Sequence, residues 1–308
     1  MAVGPTPTRR DRAGRRPLPL LAAAAVLLAG AAAAQEGDEI RRGEVLFHAA
    51  GCDNCHTRKG GAPLAGGVEL KTPFGTFRTP NITPDPEHGI GRWTDADFVR
   101  ALREGTAPDG SPYYPAFPYT TYTHMTDADM LAIKRWIFAL VTPAAEPSRP
   151  HELSFPYSQR WAMAGWKWLF FEPGPFRPDP AKSEAWNRGA YLVEAVGHCG
   201  ECHTPRNRFG ALERDRWLSG TKDGPDGDKV PNITPDRDTG IGTWSESDIA
   251  GVLDNGILPD GDVVGSVMYP IVSKGTDMLS REDRRAIATY LKALPPISNP
   301  DAKAVQAK

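Results

Sequence analysis

The sequence predicts an all-α protein made of two tandem copies of one helical domain, with long loops and a Pro- and Trp-rich linker between them. Three observations carry this. Residues 80–95 (Pro-Asn-Ile-Thr-Pro-Asp, then Gly-Ile-Gly-x-Trp) recur at 231–246, an offset of 151. All four Cys sit in two Cys-x-x-Cys-His motifs, beginning at Cys52 and Cys199, an offset of 147. Ser or Thr helix caps followed by an acidic third residue recur at matching places in the two halves. A repeat this long is a duplicated domain rather than a solenoid unit.

Composition sets the outer bounds. The 308 residues are 40% hydrophobic and 24% charged, with a formal net charge of −2, which excludes a wholly disordered or collagen-like chain. Near-neutral charge argues against nucleic acid as the main partner. The 31 Gly and 30 Pro require long connections between the helices.

Residues 1–34 read as a secretory signal peptide. Arg9, Arg10, Arg12, Arg15 and Arg16 form a basic start. An apolar run over 20–34 follows and ends in four Ala before Gln35. Arg9-Arg10 hints at twin-arginine export, but the continuation Asp11-Arg12-Ala13 favours general secretion. The apolar run is short for a membrane span, which needs about 20 residues; an uncleaved anchor is the alternative. Cleavage after Ala34 removes five Arg and one Asp, leaving 31 basic and 37 acidic side chains and a net charge of −6. No integral span is expected in the mature chain, which is placed in the periplasm.

The first domain is expected over 35–143 and the second over 183–296. Each opens with a helix leading into its Cys motif (39–50 and 183–196), with Arg42-Gly43 and Arg188-Gly189 in matching places. A second helix follows Thr94-Asp95-Ala96-Asp97 or Ser245-Glu246-Ser247-Asp248 and ends near Gly105 or Gly256. The third opens at Thr126 or Ser280. Met130, Ile133, Ile137 and Leu140 line one face of it, as do Ile287, Tyr290, Leu291 and Leu294 in the second copy. Pro143 and Pro295 stop these helices. Residues 144–182 form the linker, whose segment 161–171 reads as an aromatic docking segment. Residues 297–308 read as a frayed, flexible tail.

Cys52-Asp53-Asn54-Cys55-His56 and Cys199-Gly200-Glu201-Cys202-His203 are c-type haem attachment motifs. Two thiols on one helical turn can add to the two vinyl groups of one haem, and the adjacent imidazole can reach the iron. Disulfides, a four-cysteine zinc site and redox dithiols are the alternatives. None accounts for a His directly after both second Cys residues. The expected cofactors are two covalently bound haem c, attached through Cys52, Cys55, Cys199 and Cys202, with His56 and His203 as proximal ligands.

The distal ligands should come from the loop before each third helix. A Met there favours electron transfer, an open site catalysis. In the second half Met268 is better placed than Met278, because a ligand needs loop freedom to fold over the haem. In the first half that loop holds Met125, beside His124, with His124 or an open site as alternatives. Met125 abuts the cap at Thr126, whereas Met268 lies twelve residues before Ser280. Phe117 sits closer to the repeat-equivalent place. Met130 and Met163 read as packing residues, and His48 and His151 as surface residues. His88 has Thr239 at its repeat position and so no shared role. His198 reads as structural, with a hydrogen bond to the second haem site as its sharper alternative. Trp93 and Trp244 would pack at the haem edge or cap their helices. Arg78, Arg206 and Arg208 could meet haem propionates or simply be solvated.

These motifs together resemble the diheme class I cytochromes c. They most resemble the first two haem modules of the cytochrome c subunits of periplasmic alcohol, aldehyde and gluconate dehydrogenases. The resemblance is carried by Thr72-Pro73-Phe74-Gly75, Pro80-Asn81-Ile82-Thr83-Pro84-Asp85, Tyr114-Pro115-Ala116-Phe117-Pro118-Tyr119, Trp186-Asn187-Arg188-Gly189, and Gly197-His198-Cys199 through Arg206. It implies two tandem class I cytochrome c domains, proximal His56 and His203, and distal Met268. It also implies electron transfer from a periplasmic dehydrogenase toward another cytochrome or a terminal oxidase. Many relatives have Met where this chain has Phe117, which makes Met125 the available replacement. Those subunits usually carry a third haem module and a membrane-attached end, and this chain is expected to have neither. The competing class is a diheme enzyme, peroxidase-like or thiosulfate-oxidising, with an open first haem. A haem-based sensor would need an output domain, and no stretch reads as one.

Overall fold

The computed structural model describes residues 19–265 and 267–306, with Met1 and Gly4; the side chains of residues 19–33 and of Asp226 lie outside that description. The arginines of the expected signal peptide and its apolar side chains therefore lie outside the described residues, as does Ser266. Two units are distinguished, Met1–Glu39 and Ile40–Lys308. In the first, residues 34–38 are exposed on a helix. Among the described residues no helix is long and apolar enough to cross a membrane.

The helices are α1 (Pro19–Ala49), α2 (Cys52–His56), α3 (Asp95–Glu104), α4 (Tyr119–Tyr122), α5 (Asp127–Leu140), α6 (Met163–Phe170), α7 (Glu184–Tyr191), α8 (Cys199–His203), α9 (Glu246–Asn255), α10 (Met268–Ser273) and α11 (Arg281–Lys292). The caps form as the sequence predicts. Thr94 with Asp97, and Ser245 with Asp248, close reciprocal capping boxes on α3 and α9. Thr126 and Ser280 accept the third amide of α5 and α11. Gly105 and Gly256 end α3 and α9 in the left-handed region that glycine tolerates.

The repeated Arg-Gly pair has a packing reason. A Cβ on Gly43 would strike the Ala132 carbonyl on α5, and one on Gly189 would strike the Ala286 carbonyl on α11. The preceding arginine then pairs with the third residue of the crossing helix, Arg42 with Asp129 at 2.6 Å and Arg188 with Asp283 at 2.7 Å. Both repeats thus use one close helix crossing locked by one ion pair.

The repeats are not separate bodies. Phe47, Met125, Met130 and Ile133 of the first belong to the same buried apolar cluster as Leu192, Val193, Tyr290 and Leu291 of the second. Tyr191 reaches from α7 into the first repeat, donating its hydroxyl to Asp129 and accepting from the Thr126 amide at 3.2 Å.

Four expectations change. The chain is helical but not wholly so. Strands β1 (Glu69–Thr72) and β2 (Gly75–Arg78) form a hairpin, and β3 (Glu152–Leu153) of the linker adds to it antiparallel. Leu70 and Phe77 pair across it, in a stretch whose Gly and Pro content reads as loop. Leu140 leaves the expected apolar face, being 62% exposed as the last residue of α5. His48 is half-buried against Phe47 and Trp136 rather than at the surface. The expected flexible tail, of which residues 297–306 are described, packs down there: Ala302 is fully buried and its carbonyl accepts from the Asn232 amide at 2.7 Å. The Asn299 side chain donates to Ser219 and Gly220. The tail supplies carbonyls and amides that buried loop groups of the second repeat need.

The linker is clipped at several points. Lys167 on α6 caps the end of α3, donating to the Glu104 and Gly105 carbonyls at 2.7 and 2.6 Å. Trp166 donates to the Phe209 carbonyl of the second repeat at 2.9 Å. Trp161, in the turn before α6, and Trp168 and Leu169 on α6 are exposed.

Candidate haem centres

Each Cys-x-x-Cys-His motif is a single helical turn, so its two thiols project one turn apart and the His follows at once. The residue before each turn, Gly51 or His198, is left-handed, at φ 63° and 40°. All four thiols are free. Burial pushes Cys52 and Cys199 up to about 12 and Cys202 to about 11. That is the reverse of the low thiol pKa a redox dithiol needs. Among the described residues no three His, Cys, Asp or Glu side chains converge as a metal-ion site, so the four-cysteine zinc alternative finds no geometry.

The two histidines are held identically. His56 Nδ1 lies 2.8 Å from the Pro80 carbonyl, and His203 Nδ1 lies 2.8 Å from the Pro231 carbonyl. A carbonyl only accepts, so Nδ1 carries the proton and Nε2 keeps its lone pair. Burial lowers the pKa of both rings, holding them neutral. A neutral imidazole with its remote nitrogen free and its near nitrogen anchored is the donor an iron requires. With two free thiols on the same turn, the residues present fit a covalently attached haem in each repeat.

The Pro carbonyls are fixed by the repeated Pro-Asn-Ile-Thr block. Asn81 is buried, donates to the Ala144 and Glu146 carbonyls, and accepts from the Thr83 amide and hydroxyl. Asn232 does the same with Ile297, Thr239 and Thr234. A second frame escapes the sequence reading. The hydroxyls of Thr57 and Thr204, each just after the His, accept the amides of Leu64 and Leu218 at 3.0 Å. Both leucines are buried at positive φ. The matching Leu-(Ala/Ser)-Gly triplets at 64–66 and 218–220 are the signal that could have found it.

In the loops expected to supply the distal ligands the register is clear. Tyr113 donates its amide to Gly105 and Val264 to Gly256, at 2.8 and 2.9 Å. The bridges Thr106–Pro112 and Ile257–Val263 keep the same offset of 151. That offset pairs Phe117 with Met268. Phe117 sits among Tyr113, Tyr119 and Tyr122. Met268 is half-buried and opens α10, so it lies on a short helix rather than in a free loop. Met125 is fully buried between α4 and α5. The guanidinium of Arg103 holds its carbonyl at 2.7 Å. His124 faces the linker, its Nδ1 donating to the Gly174 carbonyl at 2.9 Å. Met278 is 37% exposed. Arg78 pairs with Glu69 and Glu152, and Arg206 with Glu201, so these arginines already have carboxylate partners. Trp244 anchors the tail through the Val305 carbonyl.

The two motifs meet. His198 Nε2 lies 3.1 Å from the Ala50 carbonyl. Glu201 accepts from the Thr120 and Thr121 hydroxyls of α4 at 3.0 and 2.7 Å. Asp53 pairs reciprocally with Lys274, just after α10, at 3.2 Å. Each motif therefore touches the other repeat close to the segment that holds Phe117 or Met268.

The cytochrome c family model matches residues 40–140, within the first repeat. A diheme c-type cytochrome of Cereibacter sphaeroides is 46% identical over 265 residues, covering 84% of this chain and 87% of that protein. The cytochrome c subunit of the quinone alcohol dehydrogenase of Gluconobacter oxydans is 40% identical over 293 residues, 90% of this chain but 60% of the subunit. The gluconate 2-dehydrogenase cytochrome c subunit of Pantoea cypripedii is 39% identical, over 83% and 59%. This chain thus spans about three-fifths of those two dehydrogenase subunits. Two matching haem-binding frames, and this degree of identity over most of a two-haem relative, mean that the chain belongs to the diheme c-type cytochromes, electron-transfer proteins with two covalently bound haem c.

Proposed function

We propose that the chain is a periplasmic two-module cytochrome that accepts electrons from a partner dehydrogenase and passes them toward the respiratory chain, to another cytochrome or a terminal oxidase. Residues 35–143 and 183–296 are the haem modules, and 144–182 join them. Cys52 and Cys55 attach the first haem, Cys199 and Cys202 the second. His56 with Met125, and His203 with Met268, are the axial pairs. Residues 1–34 direct export and are removed near Ala34, a reading supported by the exposure of 34–38.

The observation that carries the reading is the duplicated anchoring of His56 and His203 on Pro carbonyls beside free thiol pairs. Haem iron, once bound, supplies one-electron chemistry. The chain's own residues orient the imidazoles, exclude water and set the spacing between the sites. The dehydrogenase partner is supported by the names of the alcohol and gluconate dehydrogenase relatives. A small, transient surface suits such exchange.

The test is the covalent haem content of the exported protein, by mass and by reduced haemochrome spectrum. Two haems per mature chain are expected, and one after Cys52→Ser with Cys55→Ser. An unchanged ratio in that variant refutes the attachment. Reduction of the protein by a co-purified dehydrogenase with its substrate tests the donor, and no reduction by any such complex refutes it.

A further inference from the structure

The second repeat carries one residue more than the first between its helix crossing and its Cys motif. Gly43 precedes Cys52 by nine positions, whereas Gly189 precedes Cys199 by ten. The structure absorbs the extra residue as a π turn, Leu192–Val196, closed by the Gly197 amide on the Leu192 carbonyl at 2.7 Å. Such turns are rare, and they are frequent at functional sites.

The insertion is followed by His198, at the left-handed position that Gly51 fills in the first repeat. A β-carbon there carries strain that glycine avoids. The return is visible in the contacts. His198 Nε2 donates to the Ala50 carbonyl, which also accepts the Tyr122 hydroxyl at 2.7 Å. The ring stands edge-on to Tyr122, with centroids 5.8 Å apart. At Gly51 the space for a side chain is already taken by His198 Nε2, 3.2 Å from where a Cβ would lie. The bond thus joins the residue before Cys199 to the residue two before Cys52.

The geometry points to His198 as a positioning residue: its hydrogen bond to Ala50 holds the two attachment motifs at fixed spacing and couples the two haems for electron exchange. This rests on the two-haem attachment proposed above. The chain between the sulfur atoms then runs Cys199, His198, one hydrogen bond, Ala50, Gly51, Cys52.

The test uses the exported diheme protein. His198→Gly restores the first repeat's residue, relieves the strained φ and removes the donor together with the ring's edge contact on Tyr122. His198→Gln keeps an N–H of similar reach. Amide hydrogen exchange at Gly51 and Asn54, and interhaem electron exchange after flash reduction of one haem, are the readouts. Both haems and both midpoint potentials should be retained in His198→Gly. Amide exchange should quicken about fivefold, the factor one net hydrogen bond supplies, and interhaem exchange should slow. His198→Gln should restore both. Wild-type values of both readouts in His198→Gly overturn the proposal. So does a slowed rate that a shift in potential explains, or one that Gln does not rescue. A wild-type protein with one haem would instead overturn the attachment reading.

Discussion

Replacing Asn232 by Ala tests the claim that the Pro-Asn-Ile-Thr block, not the Cys-x-x-Cys-His turn alone, holds His203. Asn232 is fully buried, and its side chain makes four hydrogen bonds: to the Ile297 carbonyl and Thr239 hydroxyl as donor, and from the Thr234 amide and hydroxyl as acceptor. At about 1 kcal/mol net for each, the variant should lose roughly 4 kcal/mol of stability. That is a large share of the ~5–15 kcal/mol typical of a folded domain. Guanidinium unfolding of the holoprotein, followed by far-ultraviolet circular dichroism, measures the loss. Asn81→Ala removes the equivalent four bonds from the first repeat and should cost a similar amount. A loss below about 1 kcal/mol in both variants would show that water or neighbouring groups replace the amide, and the argument from buried polar satisfaction would fail.

Glycine gives a contrast of sign. Gly189→Ala should destabilise by about 1–3 kcal/mol or more, since its Cβ meets the Ala286 carbonyl. Gly251→Ala, on α9 with open space around it, should stabilise by up to about 1 kcal/mol. Thermal unfolding separates them, and equal shifts would refute the helix-crossing account. Acid stability should fall in a defined range. The Thr94 hydroxyl holds Asp97 below the usual carboxylate pKa, the Thr239 hydroxyl does so for Asp236, and the His88 amide for Asp85. Their contribution is full above roughly pH 4 and is lost as pH falls through the lowered folded values. Asp97→Asn should flatten the stability–pH curve in that range; a curve parallel to wild type counts against the capping-box assignment. Met268→Ala should abolish the near-infrared methionine–iron band of one haem and lower its potential, and Met125→Ala should do so for the other. Survival of both bands in either variant removes that Met as a ligand.

Much of the architecture was readable in one dimension because it depends on local chemistry. A Thr or Ser cap with an acid three residues on closes within a single turn, so α3, α5, α9 and α11 begin where their caps stand. Cys52 through His56 and Cys199 through His203 are likewise each one turn. The repeat made Arg42-Gly43 and Arg188-Gly189 stand out, although the reason, a crossing too close for a Cβ, belongs to helices far apart in sequence.

What the chain order could not express is partnership across distance. The strand Glu152–Leu153 exists because β2 offers it an edge, and Asn299 and Ala302 pack down because Ser219 and Asn232 need their partners. The repeat puts Phe117 near the place equivalent to Met268, and the backbone bonds of the folded loops carry that register through to it. Above all, neither motif indicates that it faces the other. Composition and spacing determined the cofactor and the helices, because thiol, imidazole and cap chemistry act over a few residues. The meeting of the two motifs through His198, Glu201 and Asp53 was decided by packing, because burying both apolar faces in one core brings together groups 81 to 221 residues apart.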